Sequence, residues 1–491
     1  MSPVLAVVLL YLAVVLLIGF AAQRVLRGTA EDYFLASRSL GATVLLLSIF
    51  GTHMTAFTIL GASGEAHRGG IAVFALMASS SALVVPLVFY FVGTRLWWLG
   101  KRLGFITQVQ FFRERYQSDV VGLALFAVLV ALLVPYVLIG VKGSGDVLWA
   151  LTGGPAGGIP PWVGSLLMCG VIFIYVVQGG MRSTAWANAF QTLVFMSVGA
   201  ISFFVIVREY GGLETAMRTL GASRPDLLAI EKSPRELGRM VSYLLIPLSA
   251  GVFPHLFGNW LSARSGKAFR PTIVLYPICL VLVWVPSVVL GVIGNIDFPP
   301  PLEGPILVLL ILRHSGGLLA GLLAAGVFAV IMGSLDNQAF AAGTLFTQDV
   351  VRHYGFHDGL SERGQVLTGR LFVAALLGVA LLVSLTTSRT IFDLGVWSLS
   401  GFAALFPIVV ASLYWRRSTG AGVVASIATV ALLWVGFFLD SLGSRGEYTV
   451  GETGLLPVFF LFTGAVVSLV GVSLLTSPPP ERVLDRFFPP R

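Results

Sequence analysis

Runs of about 20 apolar residues follow one another along almost the whole chain, and they limit its fold more than any other feature. A helix of that length crosses the hydrocarbon core of a bilayer. Helices are favoured because backbone polar groups in lipid must be paired within the segment. The sequence therefore predicts an all-α membrane protein with about thirteen transmembrane helices, at 3–22, 41–62, 71–94, 119–141, 161–178, 184–207, 240–262, 271–294, 316–346, 367–386, 391–413, 419–440 and 454–476.

The composition agrees with a membrane environment. Hydrophobic residues make up 56% of the chain and charged residues 11%, whereas about 25% of the residues in a soluble domain are charged. The net charge of +8 could indicate nucleic acid, but the basic residues are spread over many short loops and form no patch. We therefore expect the lipid bilayer, and no nucleic acid, as a partner. Cys169 and Cys279 lie inside apolar runs, which favours packing roles over a disulfide or a metal site.

The basic residues also predict an orientation. If the N-terminus is outside, 20 of the 31 Lys and Arg residues fall in cytoplasmic loops, and six of the others fall in one long external segment, Arg208 to Arg239. Positive charge is enriched in cytoplasmic loops. The odd number of spans then predicts a cytoplasmic C-terminus in the inner (plasma) membrane. The cytoplasmic set is Arg24, Arg27, Arg38, Arg95, Lys101, Arg102, Arg113, Arg115, Arg182, Arg264, Lys267, Arg270, Arg352, Arg363, Arg370, Arg416, Arg417, Arg482, Arg486 and Arg491.

No hydrophilic stretch is long enough for an independent soluble domain. The two longest, 208–239 and 348–366, are shorter than the usual domain of at least about 50 residues. The Pro-rich segment from Pro478 to Arg491 predicts a disordered end. These lengths disfavour a sensor with its own output module, although they leave open a sensor that signals through a separate partner protein.

Two spans contain helix-weakening residues at their centres. The second span carries Gly51 and Gly61 among several threonines, and the seventh carries Pro247, Gly251 and Pro254. Glycine and proline leave some backbone groups without their helical hydrogen bonds. Hydroxyls and neighbouring helices can bond to these groups instead, so both spans are predicted to unwind in the membrane. The alternative is that Gly and Pro are simply common in transmembrane helices.

The spacing of these two spans indicates an inverted repeat. They lie five spans apart, and each opens a block of five, spans 2 to 6 and spans 7 to 11. Repeats with an odd number of helices must have opposite topologies, and interrupted helices at matching positions are typical of secondary transporters whose site lies where the breaks meet. We therefore expect a secondary transporter with its binding site near the bilayer midplane.

Five segments carry a resemblance to a known family. They are EDYFLASRSLG before span 2, GFITQVQFFRERY after span 3, GGMRSTAWANAFQ at span 6, AAGVFAVIMGSLDNQAFAAGTLFTQDVVR at span 9 and FPIVVASLYWRRSTGAG at the end of span 11. Together they resemble the sodium:solute symporter family, which carries proline, sugars, sialic acid, pantothenate and monocarboxylates. The resemblance implies a LeuT-like 5+5 inverted repeat.

This fold implies a division of the chain into five parts. The predicted parts are 1–40, an N-terminal helix and the segment that leads into the core; 41–207, the first five-helix repeat; 208–239, an external loop; 240–413, the second repeat; and 414–491, two C-terminal helices with a short cytoplasmic tail.

The resemblance also implies a sodium site between spans 2 and 9. Matched position by position, its ligands are the carbonyls of Gly51 and Met54 together with Val330, Gly333 and Ser334. Backbone carbonyls and hydroxyls suit a small hard cation. Two departures weaken this expectation. Gly333 stands where many members have a hydroxyl residue, and Asn188 stands where the family usually has Asp.

The predicted solute contacts come from the two breaks and from span 9. They are Thr52, His53, Thr55, Gly251, Phe253, His255, Phe257 and Asn337. An ionisable side chain inside the membrane is costly and is a functional candidate by default. His53 is also an alternative coupling group, because histidine titrates near neutral pH and could carry a proton in place of sodium. Each histidine could instead be a neutral side chain bonded to a backbone carbonyl.

Other polar residues are given structural roles first. Asp336 lies two residues from Ser334, which places it on roughly the opposite side of the helix. Lys142 and Asp146 are four residues apart and predict a surface ion pair. Arg182 fits the topology of a short cytoplasmic turn.

The expected function is cation-coupled symport of a small organic solute. The chain has no His-Glu-x-x-His, no Gly-x-Ser-x-Gly and no nucleotide-binding glycine loop, which disfavours an enzyme or an ATP-driven pump. The predicted coupling ion is Na⁺, with H⁺ as the alternative, and no other cofactor is expected. The Gly-Thr-His-x-Thr-Ala-Phe run of span 2 and the Pro-His pair of span 7 resemble the monocarboxylate and pantothenate branches of the family more than its sugar branch. Half-helix N-termini at the breaks also favour a carboxylate, so a monocarboxylate-like anion is the first expectation for the solute.

Overall fold

A computed structural model describes residues 3–23, 30–230, 232–355, 362–443 and 447–488. Arg24, Arg27 and Arg491 of the predicted cytoplasmic set lie outside these ranges. The described chain is helical and contains no β-strand. Its α-helices are α1 (Pro3–Gln23), α2 (Ala30–Leu35), α3 (Ala42–His53), α4 (Ala62–Gly69), α5 (Ser79–Val88), α6 (Thr94–Leu103), α7 (Gln108–Tyr116), α8 (Asp119–Leu151), α9 (Pro161–Glu209), α10 (Leu213–Ser223), α11 (Pro234–Leu245), α12 (Pro254–Leu261), α13 (Phe269–Ile293), α14 (Ile306–His314), α15 (Gly317–Leu345), α16 (Glu362–Thr386), α17 (Ile391–Ala404), α18 (Phe406–Tyr414), α19 (Gly420–Asp440), α20 (Pro457–Leu475) and α21 (Glu481–Phe487).

The all-α membrane fold is confirmed, but the number of spans is not. Nine helical segments of the described chain are long and apolar enough to cross a membrane, and two bent helix pairs bring the total to eleven. The predicted spans 3–22 and 161–178 coincide with shorter apolar helices, Pro3–Ile18 and Pro161–Ile174. The second of these runs into the next span through α9, which kinks at Gly180, where φ is 60°.

Helix α15 lies at the centre of the bundle. Its residues from Ala320 to Ala342 are almost all buried, and it packs against α1, α8 and α9. Small residues permit close approach of transmembrane helices. A side chain at Gly326 would place its Cβ 2.3 Å from Val198, and one at Gly321 would lie 2.8 Å from Val7. The predicted ninth span is therefore the element against which the others are arranged.

The C-terminal segment is ordered over most of its length, so the prediction of a disordered end from Pro478 is wrong as far as Phe488. Helix α21 packs on α7, and its Phe487 is buried. The Phe487 ring stacks on Phe105 at 6.1 Å, and Arg486 pairs with Glu114 at 2.6 Å. The end of the bundle formed by α2, α7 and α21 is called the tail face below.

The long hydrophilic segment 208–239 contains helix α10, and α11 begins within it at Pro234. The seventh predicted span therefore starts about two helical turns earlier than its apolar run, because Ser233 caps α11 by accepting a bond from the Glu236 backbone N–H at 3.2 Å. Both cysteines are free; Cys169 is buried and Cys279 is half-buried.

Candidate functional site

The first broken helix changes direction at Met54. Helix α3 ends at His53, Met54 is extended with ψ of 125°, and a π-helical turn from Phe57 leads into α4. The axes of the two halves differ by 57°. The Thr55 hydroxyl accepts a bond from the Phe57 N–H at 3.1 Å, which satisfies one of the free N–H groups at the start of the second half. The break predicted in span 2 is confirmed.

The second broken helix changes direction at Val252 and Phe253. A 3-10 turn follows α11, Phe253 is extended with ψ of 123°, and α12 begins at Pro254 with a bend of 48°. The Gln108 amide from α7 donates to the carbonyl of Val252 at 2.9 Å. A side chain from another helix thus pairs a carbonyl that the break leaves free, as such breaks require in a membrane. This second predicted break is also confirmed.

The two breaks meet at a layer of rings. Tyr136 from α8 stacks on Phe253 with 4.9 Å between the centroids and 7° between the planes. The His255 ring lies 4.9 Å from Phe253 and 5.6 Å from Tyr136. His53 from the first break packs against Phe253 at 5.8 Å. We call Tyr136, Phe253 and His255 the aromatic layer.

A small pocket lies on each side of this layer. The His53 pocket, of about 40 Å³, is lined by His53, Thr55, Phe57, Thr58, Ser81, Tyr136, Ser249, Tyr276 and Trp284 among others. The His255 pocket, of about 30 Å³, is lined by residues that include Gln108, His255, Phe257, Asn337, Ala341 and Thr344. Neither lining contains a Lys, Arg, Asp or Glu side chain. Both pockets therefore offer hydroxyl, imidazole and amide groups in an otherwise apolar wall.

The predicted solute residues divide between these two pockets. His53 and Thr55 line the first, and the second is lined by His255, Phe257 and Asn337. Of the other three, Phe253 lies in the aromatic layer and lines neither pocket, and the remaining two face other helices.

Thr52 accepts a hydrogen bond from the Asn188 amide at 2.9 Å. Gly251 packs so closely that a Cβ there would lie 2.4 Å from the Phe406 ring. These two residues therefore join helices together and do not line either pocket.

Tyr276 and Ser249 line the His53 pocket but were not predicted. The Tyr276 hydroxyl is hydrogen-bonded to Nδ1 of His53, and its ring lies 5.2 Å from Phe89. Ser249 has a buried hydroxyl with no hydrogen-bond partner among the described residues. A single polar group in an apolar run was the only sequence signal for either residue, and such groups are too common to be selective.

Part of the predicted cation site is brought together around Gly333. A Cβ at this position would lie 3.6 Å from the Gly51 carbonyl oxygen. It would also lie 3.2 Å from the Gln191 Oε1 atom and 3.4 Å from the Asn188 Oδ1 atom. Oxygen atoms of this kind suit a small hard cation. Gln191 was not singled out from the sequence, although it closes the motif that contains Asn188.

The remaining predicted ligands have other contacts. The Ser334 hydroxyl donates to the Ile331 carbonyl at 3.1 Å and to the Val330 carbonyl at 3.4 Å, within its own helix. Met54 is buried at the break. Asp336, which the sequence assigns a structural role and not a ligand role, is buried as well, and its Oδ1 accepts a bond from the Asn337 amide at 3.1 Å.

A larger cavity of about 500 Å³ opens at the other end of the bundle from the tail face. Its wall includes Lys142 and Asp146, which form the predicted ion pair at 3.3 Å, and Arg389. The stacked rings of Phe57 and Phe392, 5.0 Å apart, lie between this cavity and the His53 pocket. We call this cavity the vestibule.

Ion pairs join several elements at the tail face. Arg182, which was predicted to fit a short turn, donates to Asp32 at 2.6 Å. Arg113 lies 3.6 Å from the buried Asp349 carboxylate, which also accepts a bond from Thr107 at 3.0 Å. Thr107 and Gln108 line the His255 pocket, so this network lies directly beside that pocket.

Sequence comparisons identify the chain's relatives. The model of the sodium:solute symporter family matches residues 33–429. The osmoregulated proline transporter OpuE of Bacillus subtilis is 26% identical, over 94% of this chain and 93% of its own length. The high-affinity proline transporter PutP of the same organism is 25% identical, over 96% of this chain and 98% of its own length.

Two solved structures share the fold. A Na⁺-coupled sialic acid symporter in a substrate-bound, outward-open state matches with a TM-score of 0.77 at 18% identity, over 97% of this chain and 99% of its own. A nucleobase-cation-symport-1 family transporter in a closed conformation matches with a TM-score of 0.59 at 11% identity, over 92% and 97%. The LeuT-like arrangement expected from the broken helices is confirmed by these matches.

Proposed function

Because the chain belongs to the sodium:solute symporter family, we propose that it couples the inward movement of Na⁺ to the uptake of a small solute that carries a carboxylate group. The chain is a cation-coupled membrane transporter of a small solute. One observation carries the proposal. The two broken helices meet, with His53 of one break 5.8 Å from Phe253 of the other, as in transporters that bind solute where half-helices end.

The chemistry of the His53 pocket favours a carboxylate. Its lining contains an imidazole and several hydroxyls, with no acidic side chain to repel an anion. The second half of the first broken helix begins at Phe57 beside this pocket, and a helix N-terminus favours negative charge. Our first choice of solute is a monocarboxylate-like anion that binds between His53, Thr55 and the aromatic layer.

Proline is the second candidate, because proteins named as proline transporters are similar to this chain over nearly its whole length. Proline also carries a carboxylate, so the same groups would bind it. Its charged nitrogen would then need hydroxyl or carbonyl acceptors from the pocket wall. Proline would therefore need hydrogen-bond acceptors from residues such as Thr55, Thr58 and Ser249, whereas a monocarboxylate without an amino group would not.

We also propose the repeat boundaries and the membrane orientation that the sequence predicts. Segments 41–207 and 240–413 are proposed as the two inverted repeats. The tail face is assigned to the cytoplasm and the vestibule to the outside of the plasma membrane. Solute would then enter through the vestibule and leave past the His255 pocket, as the two repeats rock around the site.

Uptake into proteoliposomes tests the proposal. A panel of radiolabelled pyruvate, acetate, pantothenate, proline and glucose is offered under an inward Na⁺ gradient and, separately, under a proton gradient. We expect one carboxylate-bearing solute to accumulate with Na⁺ alone. Accumulation of glucose only would refute the carboxylate assignment. Accumulation driven only by a proton gradient would refute Na⁺ coupling and favour proton coupling through His53.

A further inference from the structure

Three oxygen atoms converge on the small space next to Gly333. They are the Gly51 carbonyl oxygen and the side-chain oxygens of Asn188 and Gln191, at 3.6, 3.4 and 3.2 Å from the position that a Cβ at Gly333 would occupy. They come from two helices, α3 and α9, and they face the glycine on α15. Because residue 333 has no side chain, the space between these oxygens is not filled by the helix itself.

Both amide side chains are fully buried, and their oxygens have no hydrogen-bond partner among the described residues. Asn188 donates its amide N–H to Thr52 at 2.9 Å. That bond fixes the direction of the side chain, so its oxygen is the atom that faces Gly333. A buried acceptor without a partner is costly. Two such acceptors beside one space therefore indicate an electropositive occupant.

The two departures from the family pattern thus lie side by side in space. The missing hydroxyl at position 333 and the neutral amide at position 188 belong to the same small space. The three atoms nearest to this space are all uncharged oxygen donors. Such donors bind Na⁺ without burying a compensating charge.

We infer that the side-chain oxygens of Asn188 and Gln191 are direct ligands of the coupling cation, together with the Gly51 carbonyl, and that they replace the hydroxyl that residue 333 lacks. This inference rests on the proposed sodium coupling. It adds two ligands to that site and makes them determinants of its affinity for Na⁺.

Binding of Na⁺ to purified protein tests the ligands without any solute. The thermal unfolding midpoint in detergent is measured as NaCl replaces choline chloride at constant ionic strength, because an ion that binds the folded state raises the midpoint. Wild type is compared with Gln191→Met and Asn188→Leu, which remove the oxygens. We expect the Na⁺ concentration for half the shift to rise at least tenfold, since even groups that only orient metal ligands are worth about 10–100-fold in affinity.

Asn188→Asp separates a ligand from a structural amide. It keeps an oxygen toward Gly333, adds a negative charge and leaves the Thr52 hydroxyl able to donate in the other direction. If Asn188 is a ligand, Asn188→Asp should bind Na⁺ more tightly than wild type and Asn188→Leu more weakly. If its amide is purely structural, neither variant should bind Na⁺ more tightly. Asn295→Leu is the matched control, because Asn295 is also a buried amide with an unpartnered oxygen but lies on the 3-10 turn after α13; its Na⁺ dependence should match wild type.

The outcomes separate this inference from the proposed function. If wild type shows Na⁺-driven uptake but Gln191→Met and Asn188→Leu bind Na⁺ within twofold of wild type, the ligand assignment is wrong and the symporter remains. If wild type itself shows no Na⁺-dependent shift and no Na⁺-driven uptake, the proposed coupling fails first. Gly333→Ser combined with Gln191→Met should recover part of the lost affinity, because it returns a hydroxyl to the same space.

Discussion

Gly51 allows α3 to touch α9 at the point where the first broken helix approaches the proposed cation site. An added Cβ would lie 2.1 Å from the Thr192 hydroxyl oxygen and 3.2 Å from the Asn188 carbonyl oxygen. We therefore expect Gly51→Ala to separate the two helices and to abolish Na⁺-driven uptake. Overpacking of a tight core costs typically 1–3 kcal/mol, so the thermal midpoint should also fall.

The Thr192 hydroxyl is the first atom that the added methyl group meets, and it donates to the Leu47 carbonyl at 2.9 Å. Thr192→Ala alone loses one hydrogen bond, worth about 1 kcal/mol. The double variant Gly51→Ala/Thr192→Ala should regain stability relative to Gly51→Ala. A double variant that is as unstable as the sum of the two single changes would show that Thr192 is not the obstacle.

His53 is the residue for which solute and ion effects should separate. It is half-buried, lines the His53 pocket and is bonded to Tyr276. We expect His53→Gln to lower solute uptake at least tenfold while the Na⁺-dependent shift of the unfolding midpoint stays close to wild type. His353→Gln, at the tail face and paired with the exposed Asp119, is the control. Unchanged uptake in His53→Gln would remove His53 from the solute site.

For single residues, the sequence predicts which positions face the proposed cation site better than it predicts which other residues those positions contact. The span 2 and span 9 motifs pointed to Gly51 and Gly333, and these two do face each other. Whether Gln191 faces Gly333 depends on the rotation of α9 about its axis, which sequence spacing does not determine. Ser334 bonds to its own helix because a buried hydroxyl finds the carbonyls three and four residues earlier most easily.

At the scale of single elements, the second broken helix depends on a side chain from elsewhere. Gln108 donates to the free carbonyl of Val252. Replacing Gln108 with Leu leaves that buried carbonyl unpaired, at a cost of about 1–3 kcal/mol. We expect a lower unfolding midpoint and slower uptake. Gln117→Asn is the control, because Gln117 is exposed and only bonds the carbonyl of Glu114. Equal midpoints for both variants would contradict this role of Gln108.

Helix α21 should stabilise the tail face. Phe487 is buried between Phe105 and Phe111, and removal of a buried Phe side chain costs about 3–5 kcal/mol. We expect Phe487→Ala to lower the thermal midpoint clearly. Arg482→Ala, on the exposed side of the same helix, should leave the midpoint within error of wild type. A small and equal effect of both changes would mean that α21 contributes little to the stability of the fold.

Elements were predictable where their signal is local. Both breaks carry their own Gly and Pro residues, so their positions follow from the sequence. The order of the C-terminal segment does not, because its partners Phe105 and Phe111 lie more than three hundred residues away in the chain. A short Pro-rich end has too little apolar surface to predict a packed helix without knowledge of those rings.

At the scale of the whole molecule, the fold class follows from apolar run length and the pairing of broken helices, both of which the sequence contains. The count of thirteen spans stays a prediction, since two of the runs coincide with helices shorter than a full crossing. The length of an apolar run cannot decide whether such a helix crosses the membrane, because the helix can continue beyond the run. Helix α9 continues in this way across the kink at Gly180.

The proposed orientation and the closed Phe57–Phe392 stack make a joint prediction about access from water. In a background with Cys169→Ala and Cys279→Ser, a membrane-impermeant maleimide added outside should modify Ser388→Cys, since Ser388 lines the vestibule. It should not modify Ser81→Cys, which lines the His53 pocket beyond the stacked rings. Labelling of Ser388→Cys only from the tail side would reverse the orientation.

Removal of one ring of the Phe57–Phe392 stack should then change maleimide labelling at Ser81→Cys alone. Phe57→Ala removes one of the two rings and connects the vestibule to the His53 pocket, so Ser81→Cys should become reactive from outside. Thr344→Cys, in the His255 pocket on the other side of the aromatic layer, should stay protected in the same variant. If both cysteines became reactive together, the aromatic layer would not separate the two pockets. The proposed solute path would then have a single barrier, at the Phe57–Phe392 stack, and none at the aromatic layer.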